Sequence, residues 1–230
     1  MVTVGQAESL FYKSTGFLVL PSVFTEGECD EIVTILKQYT DNDFSRQTNL
    51  ERKNSKIRSL IHDPRIYMNL EALYEFRRMG YVGSQVLYKQ PGTPFAKHAW
   101  NPHQDNFYLK ALDDCHCTAT VIFGDSTPEN GGMYFYPGSQ TEPVLDHERN
   151  PSDDPTKNPG AKVLNIPSKY RRIDIWLKKG DLLIHHGNVI HGSTANLSAR
   201  GRYHLNISCA VEGVPFNTEG KSNRKFSPFR

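Results

Sequence analysis

An antiparallel β-sandwich or barrel with helices packed on its outside is the fold class this sequence predicts. Three observations predict it: helix-start signals and helical apolar spacing in the first third, short strand-like runs from about residue 81, and turn residues punctuating those runs. A chain of 230 residues suits one such domain with a sizeable core. The reading is therefore a single domain over 1–230, with an N-terminal helical packing region over about 1–80, a β core over about 81–212 and a basic tail over 213–230.

The elements follow in order. Residues 16–23 (GFLVLPSV) are a short apolar run that Pro21 ends as a strand. Thr25 with Glu28 three residues on is a capping-box pattern, and Cys29, Ile32, Val33 and Leu36 then recur at helical spacing. Pro64 opens a second helix with a stripe of Tyr67, Leu70, Leu73 and Tyr74. Residues 84–89 alternate before the turn Pro91-Gly92, and residues 115–123 alternate with Cys115 and Cys117 on one face. A brief strand at 133–136 ends at Pro137-Gly138. Residues 141–172 are polar and rich in Pro, Asp and Asn, with strand-like character only at 161–166, so a lid-like connection is expected there. Strand-like runs resume at 173–177, 181–185 and 203–211.

Composition excludes several classes. Hydrophobic content of 37%, aromatics at 11% and charged residues at 23% are those of an ordinary globular chain, and a formal charge of +2 favours no particular partner. The basic residues Lys221, Arg224, Lys225 and Arg230 read as a solvated end rather than a nucleic-acid arm. Four cysteines make no disulfide framework at this length, and no Cys-x-x-Cys offers a thiolate zinc site. No leader peptide or membrane span is evident. The expectation is a cytoplasmic monomer or homodimer acting on a small molecule, with no nucleic acid and no membrane as partner.

Nine histidines and 25 acidic residues in 230 make a His-x-Asp/Glu pair arise by chance about once. One occurs, at His103 and Asp105. On an extended segment residues two apart face the same side, so both reach a common point. Two histidines and one carboxylate on one face of an octahedron leave three positions open, the ligand set of non-haem Fe(II) oxygenases. The other histidine must come from elsewhere. His191 follows the run at 181–185, and Arg202 opens the next run, so a hairpin can carry Arg202 back beside His191. A guanidinium there suits a carboxylate through a bidentate, charge-assisted pair. 2-Oxoglutarate fits both halves, because one end chelates a metal and its distal carboxylate needs such a fork. His185 and His186 are adjacent on a strand, so at most one faces inward, and both read as structural.

HQD at 103–105 followed by HGSTANLSARGR at 191–202 closely resembles the phytanoyl-CoA dioxygenase-like family of 2-oxoglutarate oxygenases. His191, Ser193, Asn196, Ser198 and Arg202 match the family's C-terminal signature in register. FLVLP at 17–21, YKQPG at 88–92, PENG at 128–131 leading into PGS at 137–139, and Gly180-Asp181 also match, so the resemblance covers nearly the whole chain. It implies a mainly β fold with flanking helices, a double-stranded β-helix (jelly roll, cupin-like). It also implies Fe(II) on His103, Asp105 and His191, with the distal carboxylate of 2-oxoglutarate on Arg202 and Ser193. The chain departs at Gln140, where the family commonly has His, and it is shorter than many members, which implies a thinner substrate cover.

Tyr88, Thr118 and Thr120 are expected to face the barrel interior and touch 2-oxoglutarate, although a one-residue strand shift would reverse this. His98 and Trp100 are candidates for the substrate mouth, Trp100 also reading as packing, and Arg58 belongs to the variable stretch 45–58. In related iron halogenases a small residue stands at the carboxylate position, so Asp105 favours hydroxylation. The implied reaction consumes 2-oxoglutarate and O2, releases succinate and CO2, and hydroxylates a C–H bond of a small, polar metabolite or natural-product intermediate. The alternatives are a non-catalytic cupin-like binding or sensor protein, an oxygenase that desaturates or acts on an acyl thioester, and a zinc hydrolase that leaves Arg202 without a role.

Overall fold

Local signals place the first elements. Helix α1 (Gln6–Thr15) ends on Gly16 in the left-handed conformation, φ 80°, which turns the chain into β1 (Phe17–Leu20). Thr25 caps α2 (Glu26–Lys37): Glu28 N–H donates to Thr25 Oγ1 at 3.3 Å, and Thr25 N–H donates to Glu28 Oε2 at 2.8 Å. Cys29, Ile32 and Leu36 are buried as the spacing requires. Strand β2 (Arg46–Thr48) and helix α3 (Ser55–Ile61) precede α4 (Pro64–Leu73), whose buried face is Ile66, Leu70 and Leu73, with Tyr67 and Tyr74 half-buried at its margin.

The computed structural model describes residues 4–39, 46–112, 114–149, 160–217 and 224–230. Its remaining elements are β3 (Met79–Lys89), β4 (Trp100–His103), α5 (Asn106–Leu109), β5 (His116–Ile122), β6 (Met133–Phe135), β7 (His147–Arg149), β8 (Ala161–Val163), β9 (Ile173–Asp174), β10 (Leu182–His186), β11 (His191–Ser193), β12 (Arg202–Val211) and β13 (Ser227–Pro228). The main sheet runs β1-β10-β5-β12-β3-β13, with β2 also on β3, and the smaller sheet runs β4-β11-β6-β9. Every pairing is antiparallel. Two such sheets face to face make the expected jelly roll.

Alternation divides the main sheet into two chemically opposite faces. Cys117, Ala119 and Val121 of β5, Leu182 and Ile184 of β10, and Leu205, Ile207 and Cys209 of β12 pack outward with the helices in one apolar core. Each fully buried aliphatic side chain there contributes about 1.5–3 kcal/mol relative to exposure. The alternate residues, among them Thr118, His185, Arg202 and Asn206, turn inward. Stability drawn from the helix side thus offsets the cost of a polar inner face. At one end Phe17 stacks on Phe135 at 4.6 Å, within an apolar plug with Ile122, Leu183 and Val189. Elsewhere the sheets leave a cavity of about 550 Å³.

The sequence reading needs correction at the C-terminus. Within the tail, β13 pairs with β3, Phe229 is buried, and Arg230 Nη2 pairs with Glu71 Oε2 at 2.7 Å. Apolar Phe229 anchors what charge alone marks as a solvated end. Lys221, Ser45 and residues 150–159 of the lid-like connection lie outside the described residues; of the rest of that connection, β7 and β8 form a two-stranded ribbon. All four cysteines are buried and free. Among the described residues no helix is long and apolar enough to cross a membrane.

Candidate functional site

Strands β4 and β11 are neighbours, and their register sets His103 opposite His191 with ring centroids 4.4 Å apart. Asp105 does not lie on the extended segment expected from the His-x-Asp spacing. Strand β4 stops at His103, and Asp105 is the N-cap residue of α5 with φ −61° and ψ −32°. The tight turn still returns its carboxylate: Asp105 Oδ1 lies 3.5 Å from His103 Nε2 and 3.8 Å from His191 Nε2. One ligand atom from each of the three residues falls within 4.8 Å of the others.

Each of these groups is held from behind. His103 Nδ1 donates to Asn101 O at 2.8 Å and His191 Nδ1 to Val189 O at 3.1 Å, which leaves each Nε2 lone pair aimed at the common point. Asp105 Oδ2 accepts from Thr118 Oγ1 at 2.6 Å and from His185 Nε2 at 3.1 Å, leaving Oδ1 for an ion. Burial by itself raises the Asp105 carboxyl, but His191, His103 and His185 outweigh it and hold it well below the usual carboxylate range. Burial, then His185 and His103, keeps His191 well below the ordinary histidine range. An ionised carboxylate beside a neutral imidazole is what a divalent cation requires.

Across the cavity, Arg202 is 1% exposed. Its Nη1 donates to His204 Nδ1 at 2.8 Å, while Nε and Nη2 find no partner. Burial lowers its guanidinium to about 9. A buried cation with two unspent donors on a cavity wall calls for an anion with two oxygens. Ser193 lines the same cavity. Asn196 shapes the return loop, its Nδ2 donating to Lys89 O and Arg200 O, both at 2.8 Å, and its Oδ1 accepting from Ser198 N at 2.9 Å.

The sequence model of the phytanoyl-CoA dioxygenase (PhyH) family matches residues 12–203. The chain belongs to this family. Phytanoyl-CoA dioxygenase 1 of Oryza sativa subsp. japonica is 28% identical over 170 residues, 70% of this chain and 56% of that protein. The chain spans about half the length of the curated relatives it matches. Solved structures that share the fold include the following two. The non-heme alpha ketoglutarate dependent carbocyclase SnoK of nogalamycin biosynthesis has a TM-score of 0.77 at 19% identity, covering 95% of this chain and 88% of that one. The epimerase SnoN, in complex with Fe3+, alpha ketoglutarate and nogalamycin RO, has 0.77 at 20%, covering 97% and 94%.

Other residues of this PhyH-family chain fall on both sides of the expectation. Thr118 and Trp100 line the cavity. Thr120 faces inward but donates to Asn206 Oδ1 at 3.2 Å and is not on the cavity wall. Tyr88 is corrected: Arg202 pairs with Lys89 and Tyr203 with Tyr88, so inward Arg202 puts Tyr88 on the opposite face, stacked on Tyr203 at 3.7 Å. Arg58 is also corrected; it caps its own neighbourhood, Nε donating to Glu51 O at 3.1 Å, and Arg52 reaches the cavity instead. His98 is not among the residues lining the cavity; its backbone carbonyl accepts from Lys89 Nζ at 3.1 Å.

Sequence reasoning missed His185, Lys89 and Asn206. Parity was the available signal: apolar Leu182 and Ile184 face the helices, so His185 must face in. Replacing His185 by leucine is expected to lower metal affinity about 10- to 100-fold. Equilibrium dialysis with Mn(II) measures this, and unchanged affinity would show that Thr118 alone orients Asp105.

Proposed function

We propose that this chain is an Fe(II)- and 2-oxoglutarate-dependent dioxygenase that hydroxylates a C–H bond of a small polar molecule. The observation that carries the reading is the conjunction, in one cavity, of the His103, Asp105 and His191 set with the two unspent donors of buried Arg202. Iron held there would couple oxidative decarboxylation of 2-oxoglutarate by O2, giving succinate and CO2, to transfer of the second oxygen atom into a C–H bond. His103 and His191 would bind through Nε2 and Asp105 through Oδ1, while Thr118 and His185 hold the carboxylate against rotation. Arg202 and Ser193 would take the distal carboxylate. His116, pushed down to about 3 chiefly by burial, stays neutral on the wall and bonds Ser208 Oγ at 3.0 Å.

The remaining wall favours a polar substrate. Asn49, Gln85, Asn206, Arg52 and Arg224 face the cavity, and among the described residues Asp105 is the one carboxylate on it. With Asp105 in place no coordination position is freed for halide. SnoK and SnoN are a carbocyclase and an epimerase by name, so an assay must identify the product as well as cosubstrate turnover. The test is a screen of amino acids, carboxylated natural-product intermediates and acyl thioesters for substrate-stimulated succinate in the presence of Fe(II) and air. The expected hit yields a product one oxygen atom heavier. Binding of 2-oxoglutarate with no oxygen consumption under any condition would support a sensor instead.

A further inference from the structure

Charge on the cavity wall is left over once the metal and the cosubstrate are counted. The two positive charges of a divalent cation and the one of Arg202 are matched by Asp105 and both carboxylates of 2-oxoglutarate. Arg52 and Arg224 line the same cavity, and among the described residues no second carboxylate lines it. Neither arginine pairs with a described acidic residue. Arg224 belongs to the segment that charge alone marks as a solvated end, yet it is anchored. Phe226 packs with Val82, Leu109 and Ala210, so close to β3 that a Cβ on Gly80 would lie 2.4 Å from Phe226 Cζ, and β13 follows at once. Arg224 Nη1 donates to Tyr108 O at 2.7 Å, which ties the guanidinium to α5, the turn that Asp105 opens. Its Nε and Nη2 have no acceptor among the described residues. Burial, then the Arg149 charge, lowers this half-buried guanidinium, and Asp105 acts the other way. Arg52 ends the short turn Leu50–Arg52 after β2 and is exposed, at the rim of the cavity. A half-buried guanidinium with unspent donors calls for an oxyanion, and an exposed cation beside the entrance draws one in.

We propose that the substrate of this cavity is a small molecule carrying an oxyanion, a carboxylate or a phosphate, which Arg224 holds and Arg52 recruits. This rests on the reading of the cavity as an iron and 2-oxoglutarate site, because the charge count assumes both occupants. The rival reading makes both arginines solvated parts of the wall that select nothing. The two readings separate on matched probes that differ in charge and share a shape.

The experiment uses the full chain loaded with Mn(II) and saturated with 2-oxoglutarate, and reads the fluorine NMR relaxation of 4-fluorobenzoate, 4-fluorophenyl phosphate and neutral 4-fluorobenzamide. Mn(II) speeds the relaxation of a probe that enters the cavity. At least one of the two anions is expected to bind about tenfold or more tightly than the amide, and the tighter of the two names the oxyanion. Arg224→Gln is expected to weaken that anion about tenfold, and exposed Arg52→Gln about threefold, with the amide unmoved within about twofold. Equal relaxation of anions and amide, relaxation of none of the probes, or anion binding unmoved by either substitution would overturn the proposal. So would anion relaxation seen only before 2-oxoglutarate is added, since the anion then occupies the cosubstrate's place. Failure of the underlying reading looks different: 2-oxoglutarate itself then fails to bind the Mn(II)-loaded chain in a calorimetric titration made before any probe is added.

Discussion

Asp105→Ala is expected to lower Fe(II) affinity and succinate formation by at least about a hundredfold. In the proposed metal set the carboxylate would be the third ligand, and it is the single negative charge on the described cavity wall. Two imidazoles would remain, and they would hold a divalent cation less firmly without an anion. The same change strands Thr118 Oγ1 and His185 Nε2, which now donate to Asp105 Oδ2. Leaving buried donors unpaired costs about 1–3 kcal/mol each, so the metal-free variant should also melt lower than the wild type. Succinate assays and thermal melts on the same preparations separate loss of the ligand from loss of the fold. Full turnover by Asp105→Ala would sink the assignment of the metal set.

Arg202→Met is expected to act on the cosubstrate alone. Losing a buried charge-assisted fork costs about 3 kcal/mol, or roughly a hundredfold in the Kd for 2-oxoglutarate. Affinity for Mn(II) without cosubstrate should stay within about threefold, since no distance in the metal set depends on Arg202. The metal-free variant should be as stable as the wild type or more so, because methionine replaces a buried guanidinium whose Nε and Nη2 have no partner. Calorimetry with 2-oxoglutarate and a urea titration measure the two effects. An unchanged Kd would place the distal carboxylate elsewhere.

The sequence reading succeeds where one local rule governs the outcome. The Thr25 and Glu28 capping box and the outward Cys117, Ala119 and Val121 of β5 follow from spacing alone, whereas His191 and Arg202 stand out through the family signature they match. It falters where register between distant strands decides. Tyr88 and Lys89 are adjacent, and only the pairing of Lys89 with Arg202 shows which of them faces in. Asp105 reaches the metal point through a helical turn that an extended reading does not contain. Helix α1 buries Tyr12 alone and carries no apolar stripe to betray it. The tail looks solvated by charge, and its attachment depends on Phe229 meeting Tyr67 and Tyr81 from far along the chain.

The most direct measurement is anomalous diffraction at the iron edge from crystals grown without oxygen in Fe(II) and 2-oxoglutarate. The expected result is one strong peak between His103 Nε2, His191 Nε2 and Asp105 Oδ1, with cosubstrate density running from that peak to Arg202 and Ser193. A peak elsewhere, or density whose distal carboxylate turns away from Arg202, would contradict it.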